Sequence, residues 1–317
     1  TRAARGRFIA SRGRGSSDGA GFAGQNDVPL DISGTASANL MSISTKGSVF
    51  GQTGNIEGTK RRLVFGDYDL QVDTETGSTT ATLSGRVAWE EMISQDTMLG
   101  FYVGGEMGSS AISGAFEGEQ TNLSLIAGGY VVHAVTDTVF ADGFVSVSAG
   151  RNTLQMADEV LSLEGEYVTQ TLTAGGSLTG VYDYGRYELR PELAFSFGTT
   201  RIGTISFEGE AYGLTESGLS LDARTITTST LTLRPEVIYA LEDESLTASR
   251  SHLSFAPRLL CERTQSTTTT DRCGRGAEIG VNSSSEDGLS SASFRVMMDR
   301  VGASNRTSFE ANLQFRF

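Results

Sequence analysis

The last ten residues, Ser308-Phe-Glu-Ala-Asn-Leu-Gln-Phe-Arg-Phe317, alternate without interruption between polar and apolar side chains. The apolar positions are Phe309, Ala311, Leu313, Phe315 and Phe317. Because successive side chains of a β-strand point to opposite faces, one face of this stretch is wholly apolar and the other is wholly polar. The stretch therefore predicts a strand that separates an apolar environment from a polar one.

The same period of two recurs along most of the chain. A clear example covers residues 187–197, where Leu189 and Phe195 oppose Glu188 and Arg190. From residue 62 onward the pattern predicts twelve strands, at 62–75, 78–92, 96–110, 115–133, 137–156, 161–184, 186–203, 217–242, 250–264, 272–283, 289–301 and 305–317. A tilted strand needs only ~9–11 residues to cross a bilayer, so these segments are long enough to do so.

A soluble β-sandwich also alternates and is the main alternative fold for this pattern. Several segments are too long for a sandwich, and no helical or proline-rich stretch separates them. An even number of long alternating strands is typical of an outer-membrane barrel, in which closure leaves no unpaired edge in lipid. The sequence therefore predicts an all-β fold, a transmembrane antiparallel up-and-down β-barrel of about 12 strands over 62–317, in the bacterial outer membrane.

The composition excludes two other classes of protein. The 317 residues carry a formal net charge of −13, whereas a general nucleic-acid binder needs a positive surface. The longest nearly apolar stretch is Leu125 to Val132, far shorter than the ~20 residues of a membrane-spanning helix. Neither nucleic acid nor a helical membrane anchor is therefore expected.

Charged residues of both signs occupy mid-strand positions on the polar face. They are Arg86, Glu106, Asp142, Glu188, Arg190, Glu192, Arg234, Arg258, Glu278, Arg295 and Glu310. Such residues fit a water-filled or salt-bridged lumen, and they also fit the solvated face of a sandwich. Glu188 and Glu192 flank Arg190 on one face, which favours a salt-bridged cluster over an acid–base dyad.

Connection lengths and aromatic residues orient the predicted barrel. If the first strand runs outward, the longest gap between strands, 203–217, falls on the outer side, where long loops are expected. Trp89, Tyr182, Tyr187 and Tyr239 then lie at the inner strand ends on the apolar face. Amphipathic rings favour such an interface between lipid and water.

Three arginines with apolar-face parity fall at the outer strand ends: Arg151, Arg275 and Arg300. There they would meet the anionic head groups of lipopolysaccharide, although an arginine at a strand end is often merely solvated. Outer-membrane lipids and lipopolysaccharide are therefore predicted partners of the barrel.

The chain has only two cysteines, Cys261 and Cys273, and two histidines, His133 and His252. The cysteines flank one predicted hairpin loop, so facing strands in the oxidising periplasm favour a disulfide over two buried free thiols. Both histidines fall at inner strand ends, whereas an outer-membrane hydrolase would need catalytic groups at the outer rim. The sequence therefore predicts no enzyme, no metal site and no cofactor.

These features together resemble the C-terminal translocator domain of autotransporters, the type V secretion proteins. The resemblance rests on the twelve-strand count and on the final strand ending in Phe317. Two internal pieces are also similar to the family, Tyr187-Glu-Leu-Arg-Pro-Glu-Leu-Ala-Phe195 and Arg151-Asn-Thr153. The resemblance covers residues 31–317.

The resemblance implies a function and several partners. A passenger attached N-terminally would cross the outer membrane with the help of the barrel, which would also anchor it. The barrel assembly machinery would read Phe309, Phe315 and Phe317. A segment before the first strand would occupy the lumen, which places it at 31–61 and leaves 1–30 as a linker or passenger remnant. A small diffusion porin or a structural barrel is the alternative function, and an outer-membrane hydrolase is a third.

Overall fold

The computed structural model describes residues 2–11, 29–38, 42–52, 60–114, 117–212, 214–241, 249–285, 289–302 and 304–316. Within these residues the chain forms one helix, α1 (Arg2–Ser11), and seventeen strands. The strands are β1 (Pro29–Ala38), β2 (Ser42–Gln52), β3 (Lys60–Asp73), β4 (Thr79–Ser94), β5 (Thr97–Ile112), β6 (Glu117–Ala134), β7 (Val139–Ala157), β8 (Leu161–Gly180), β9 (Tyr182–Tyr184), β10 (Tyr187–Ile202), β11 (Ile205–Ala211), β12 (Leu214–Leu221), β13 (Arg224–Leu241), β14 (Ser249–Gln265), β15 (Thr269–Ser285), β16 (Ser290–Val301) and β17 (Ser304–Arg316).

All of these strands belong to one antiparallel sheet that closes on itself. β1 pairs with β17 on one side, where Ile32 lies opposite Leu313, and with β2 on the other, where Ile32 lies opposite Val49. β9 follows β8 along the same partner β10, and β11 and β12 extend β10 and β13 past a short break. The closed ring therefore has fourteen strand positions, and the predicted all-β barrel is confirmed.

The ring has two more strand positions than the twelve that the sequence predicts. Each predicted strand from residue 62 onward overlaps an observed one, but β1 and β2 occupy 29–52. The prediction of a lumen segment at 31–61 is therefore wrong. Small residues such as Gly34, Ala36 and Gly47 interrupt the apolar alternation there, and such residues have weak strand propensity. Pairing of β1 with β17 compensates for this weak propensity, because it satisfies the hydrogen bonds of the backbone groups where the barrel closes.

The alternation separates an outward apolar face from an inward polar face. On β4, Leu83 is 55% exposed, whereas Ala88 and Glu90 are buried at 0% and 2%. Large exposed apolar side chains recur along the other long strands, for example Phe101 and Leu125. A continuous outward apolar surface of this kind is suited to contact with lipid, because its exposure to water would be unfavourable.

The two ends of the barrel differ. We name the inner end as the one where β1 begins and β17 ends, and the outer end as the opposite one. Aromatic pairs lie on the outward face near the inner end: Trp89 stacks on Phe101 with ring centroids 5.0 Å apart, and the Tyr187 and Tyr239 centroids are 4.9 Å apart. Such rings are typical of a membrane interface.

The outer end carries a projecting hairpin formed by β11 and β12. This hairpin accounts for most of the predicted outer loop at 203–217. β11 also pairs with the first residues of β8, 161–166, which follow the turn at 158–160. In the adjacent turn, Asp158 accepts backbone N–H hydrogen bonds from Val160 and Leu161, both at 2.7 Å. These two hydrogen bonds lower the pKa of Asp158, because they favour the charged carboxylate.

The predicted disulfide between Cys261 and Cys273 is confirmed. The two cysteines lie directly opposite each other on β14 and β15 and are bonded. Both have the outward parity of their strands, one step beyond Leu259 and Arg275 toward the outer end. The bond therefore closes the short outer hairpin whose tip is residues 266–268.

Replacing both cysteines by serine is expected to loosen this hairpin without unfolding the barrel. In the chain-entropy model a cross-link around a loop this short contributes roughly 3 kcal/mol, and that contribution is lost. Externally added protease should then cut near residues 266–268 faster than in the wild type. Reducing the wild type should reproduce the effect, and the same reductant should leave the Cys261→Ser/Cys273→Ser variant unchanged. Equal cleavage rates before and after reduction would contradict this role.

Candidate functional site: the occupied lumen

Helix α1 lies inside the barrel near its inner end. Ala4, Phe8 and Ile9 are buried against a cluster from the inner ends of β5, β6 and β7, and Phe8 is fully buried. The ring of Phe8 meets that of Phe140 edge-on, with centroids 6.3 Å apart. A ten-residue helix is marginal in water, so contacts with the barrel wall must stabilise α1.

The direction of α1 follows from two contacts on the same strand. Phe8 packs on Phe140, one residue after the start of β7, whereas Arg5 binds Asp142, two residues deeper into the barrel. Two residues of strand correspond to about 6.6 Å, so the N-terminal half of α1 lies farther from the inner end. The helix therefore enters the lumen from the outer side and ends toward the inner side.

Arg5 forms ion pairs with two carboxylates of the barrel wall. Its Nη1 lies 2.6 Å from Asp142 Oδ2, and its Nη2 lies 2.6 Å from Glu192 Oε1. Ser177 donates a hydrogen bond to Asp142 and also contacts Arg5. Arg5 and Asp142 are both buried, so water does not screen this pair as it would at a surface.

Arg7 binds a second cluster of wall residues, which is centred on Glu90. Arg7 Nη2 and the Tyr130 hydroxyl both donate to Glu90 Oε1 at 2.5 Å, and Arg61 binds Oε2. The Arg7 guanidinium also lies 4.9 Å from the centroid of the Phe50 ring, which adds a cation–π contact. Both oxygens of this buried carboxylate are therefore occupied, and β2, β3, β4 and β6 all contribute to the site.

Gly100 makes room for this arrangement. It lies directly opposite Tyr130, and a Cβ placed on Gly100 would overlap the Tyr130 ring. Any larger residue would push the ring aside and remove its hydroxyl from Glu90. A glycine at this position is therefore needed for close packing and has no role in a turn.

A third group centres on Arg234 and is joined to the helix through Glu192. Arg234 Nη2 lies 2.6 Å from Glu278 Oε1 and 3.0 Å from Glu236 Oε1. Its Nη1 lies 3.6 Å from Glu192 Oε2, the carboxylate whose other oxygen binds Arg5. The wall and the helix thus share one connected set of charges.

The charge balance of the chain matches this geometry. Residues 1–28 contain five arginines and two aspartates and carry a formal charge of +3. Residues 29–317 therefore carry −16, which together with +3 gives the net charge of −13. The buried carboxylates that α1 meets would otherwise lack two of their guanidinium partners. Unpaired buried charge is costly, so the basic helix and the acidic wall stabilise each other.

All eleven residues predicted to line the lumen have inward parity and are buried or half-buried. They are Arg86, Glu106, Asp142, Glu188, Arg190, Glu192, Arg234, Arg258, Glu278, Arg295 and Glu310. Two of them pair with other wall residues: Arg86 Nη2 lies 3.6 Å from Asp67 Oδ2, and Arg258 Nη1 lies 3.1 Å from Asp299 Oδ2. The ion pairs that α1 makes with Asp142, Glu192 and Glu90 are short and buried.

Sequence reasoning missed the roles of Arg5 and Arg7 in α1, and it missed Glu90, the carboxylate that binds Arg7. The Gly/Ser-rich context of Arg5 and Arg7 favoured a linker, and Glu90 was one polar residue among many on β4. One available signal was the excess of acidic residues with inward parity near the inner strand ends. That excess calls for basic residues from elsewhere in the chain, and the N-terminus supplies five arginines.

The predicted assembly signal and rim residues are placed as follows. Phe309 and Phe315 face outward on β17, and Phe317 lies outside the described residues. Arg151, Arg275 and Arg300 are all exposed, and Arg151 forms an ion pair with Glu166. The three arginines therefore do not share one environment.

The two histidines lie far apart, and no metal-binding group is found in the described part of the chain. His133 accepts or donates a 2.9 Å hydrogen bond with Thr97, and His252 lies on the distant strand β14. Among the described residues, no three His, Cys, Asp or Glu side chains are grouped to hold a metal ion. The only described helix, α1, is too short and polar to cross a membrane.

The barrel is similar to solved translocator domains. It matches the translocator domain of the autotransporter NalP from Neisseria meningitidis with a TM-score of 0.50 and 14% identity, covering 100% of this chain and 95% of that one. It matches the β-domain of the Bordetella autotransporter BrkA with a TM-score of 0.52 and 14% identity, covering 92% and 100%. The chain has an autotransporter-type barrel fold. No protein-family model and no curated protein sequence matches it.

A channel protein shares the same general fold. The monoaromatic hydrocarbon channel CymD matches with a TM-score of 0.53 and 11% identity, covering 92% of this chain and 88% of that chain. At such identities the likeness concerns the fold alone. The shared barrel fold and the outward apolar surface together support a place in the bacterial outer membrane.

Proposed function

We propose that this chain is the outer-membrane translocator barrel of an autotransporter, which anchors an N-terminal passenger and supports its passage to the cell surface. The observation that carries this proposal is the direction of α1 within the lumen. The wall binds Arg5 deeper in the barrel than it binds Phe8, so the chain before α1 leads toward the outer end. Anything attached to the N-terminus would then lie on the outer side.

The mechanism we propose is passive. The passenger would pass through or beside the lumen while the barrel holds the chain in the membrane. At the end of passage, α1 would seat its arginines on Glu90, Asp142 and Glu192 and close the inner mouth. The buried ion pairs require this specific basic segment, because an apolar segment would leave the carboxylates unpaired.

Surface display of a fused reporter tests the proposal. The reporter is placed between a signal peptide and Thr1, and intact cells are labelled with an antibody that does not cross the outer membrane. We expect labelling of intact cells, with a periplasmic marker protein labelled only after permeabilisation as the control. Reporter that becomes accessible only after permeabilisation, in cells with a folded barrel, would refute the translocator function.

The likeness to CymD favours a diffusion channel as the second candidate. A channel would need an open path, whereas α1 occupies the inner mouth in this structure. The two functions differ in a liposome-swelling assay with small sugars. Uptake by the full-length chain, combined with failure of reporter display, would support the channel instead.

Deleting Phe317 is expected to reduce assembly. The residue would continue the outward apolar row of Phe309 and Phe315, and the resemblance implies that the barrel assembly machinery reads this terminus. The amount of heat-modifiable barrel in outer-membrane fractions should fall several-fold, while Phe317→Tyr, which keeps an aromatic ring, should retain most of it. A wild-type amount from the deletion variant would contradict the prediction.

A further inference from the structure

The outward face of β15 and β16 changes from apolar to charged at one level near the outer end. On the inner side of this level, Ile279, Phe294 and Met298 are exposed and apolar. At the level itself, Arg275 of β15 and Arg300 of β16 are exposed and face outward. The two arginines are thus the first charged residues beyond the apolar surface, where lipid head groups would begin.

Arg275 and Arg300 lie directly opposite each other on paired strands. Side chains at such positions have Cβ atoms about 4.5–5.5 Å apart, so both guanidinium groups can reach one small group. Like charges placed directly opposite each other are destabilising. Neither guanidinium makes an ion pair with a carboxylate of the described residues, so nothing shown within the chain offsets the repulsion.

The exposed arginines near the outer end differ in whether they have a carboxylate partner. Arg151 is paired with Glu166, and Arg263, on the outer side of the disulfide, lies 3.6 Å from Asp271. Arg201, Arg224 and Arg272 are exposed without an ion pair to a described residue, but none of them lies opposite another arginine. Arg275 and Arg300 differ in that each of them faces a second arginine on the paired strand. The arrangement is suited to an anion that comes from outside the chain.

We propose that Arg275 and Arg300 together bind the phosphate monoester of a phosphorylated glycolipid in the outer leaflet. Two guanidinium groups match a dianionic phosphate, which accepts charge-assisted hydrogen bonds from both. The exposed apolar side chains of Met298 and Ile279 on the inner side would contact the acyl chains. Free phosphate could not use that apolar surface. This inference goes beyond passenger translocation and depends only on insertion in the outer membrane.

Lipid binding by the full-length chain in detergent micelles tests the proposal by native mass spectrometry. The probes are bisphosphorylated lipid A and the same lipid after enzymatic dephosphorylation. The test variant is Arg275→Gln/Arg300→Gln, and the matched control is Arg224→Gln/Arg263→Gln, which also loses two exposed positive charges. Heat-modifiability of each variant shows that the barrel is folded.

We expect the test variant to bind bisphosphorylated lipid A about tenfold more weakly than the wild type, with little change for the control. The wild type should bind the dephosphorylated lipid as weakly as the test variant does. Equal losses in the test and control variants would overturn the proposal. Equal binding of phosphatidylglycerol would overturn the monoester assignment, and full competition by inorganic phosphate at equal concentration would overturn the lipid assignment. Reporter display is independent of all these outcomes.

Discussion

Deleting residues 1–11 is expected to convert the barrel into a conducting pore that prefers cations. The deletion removes α1, whose apolar residues are buried in the inner mouth, and it exposes the carboxylates of Glu90, Asp142 and Glu192 to the lumen. Rings of acidic side chains favour cations in a water-filled channel. Planar-bilayer recording should show a several-fold rise in conductance, and the reversal potential in a KCl gradient should indicate potassium preference.

Point variants separate the loss of charge from the loss of the helix. Arg5→Gln/Arg7→Gln keeps α1 but removes its three ion pairs with the wall, so we expect brief openings of the pore that the wild type does not show. As a control, Lys60→Gln removes a mostly exposed positive charge at the inner end. We expect this variant to show the same conductance as the wild type. Identical conductance in the deletion and the full-length chain would show that α1 does not block the pore.

Replacing Arg234 by leucine is expected to destabilise the barrel strongly. The substitution leaves Glu236 and Glu278 buried without their shared guanidinium, and it removes the second cation near Glu192. Removing one partner of a buried ion pair typically costs about 3–5 kcal/mol. Urea unfolding of the barrel in lipid vesicles, followed by the fluorescence of the single tryptophan, Trp89, should report the loss.

Two further variants identify the cause of this destabilisation. Arg234→Leu/Glu236→Gln/Glu278→Gln removes the stranded negative charge, so it should recover part of the lost stability. Arg263→Leu removes an exposed arginine at the outer end, where surface ion pairs contribute about 0–1 kcal/mol, and should change little. If the triple variant were no more stable than Arg234→Leu, the loss would come from packing and the charge explanation would fail.

The sequence predicts the barrel well because its outward and inward faces differ at almost every position of the long strands. Alternation like that around Leu83 and Glu90 reflects the local environment of each residue and needs no knowledge of distant parts of the chain. β1 and β2 escape this reasoning, because Gly34 and Ala36 face outward without being bulky or apolar. Their strand conformation depends on pairing with β17, which is almost 280 residues away in sequence.

The candidate site was only half predictable for the same reason. Inward parity identified Asp142 and Glu192 as lumen residues, since parity is local. Their partner Arg5 is 137 and 187 residues away, and nothing in its Gly/Ser-rich surroundings indicates a helix. Contacts with the barrel wall stabilise the helix, so its conformation is a consequence of the tertiary structure.

Since α1 and its receptor belong to one polypeptide, closure of the inner mouth is an intramolecular equilibrium. Seventeen residues separate Ser11 from Pro29, and short linkers give effective concentrations at about the millimolar level. A helix that bound as a free peptide with a Kd of ~1 μM would then be seated about a thousand times more often than not. Dilution cannot change this ratio. A single proteolytic cut between the helix and β1 would change it, because the same contacts would then hold a diffusible ligand that leaves the barrel at low concentration.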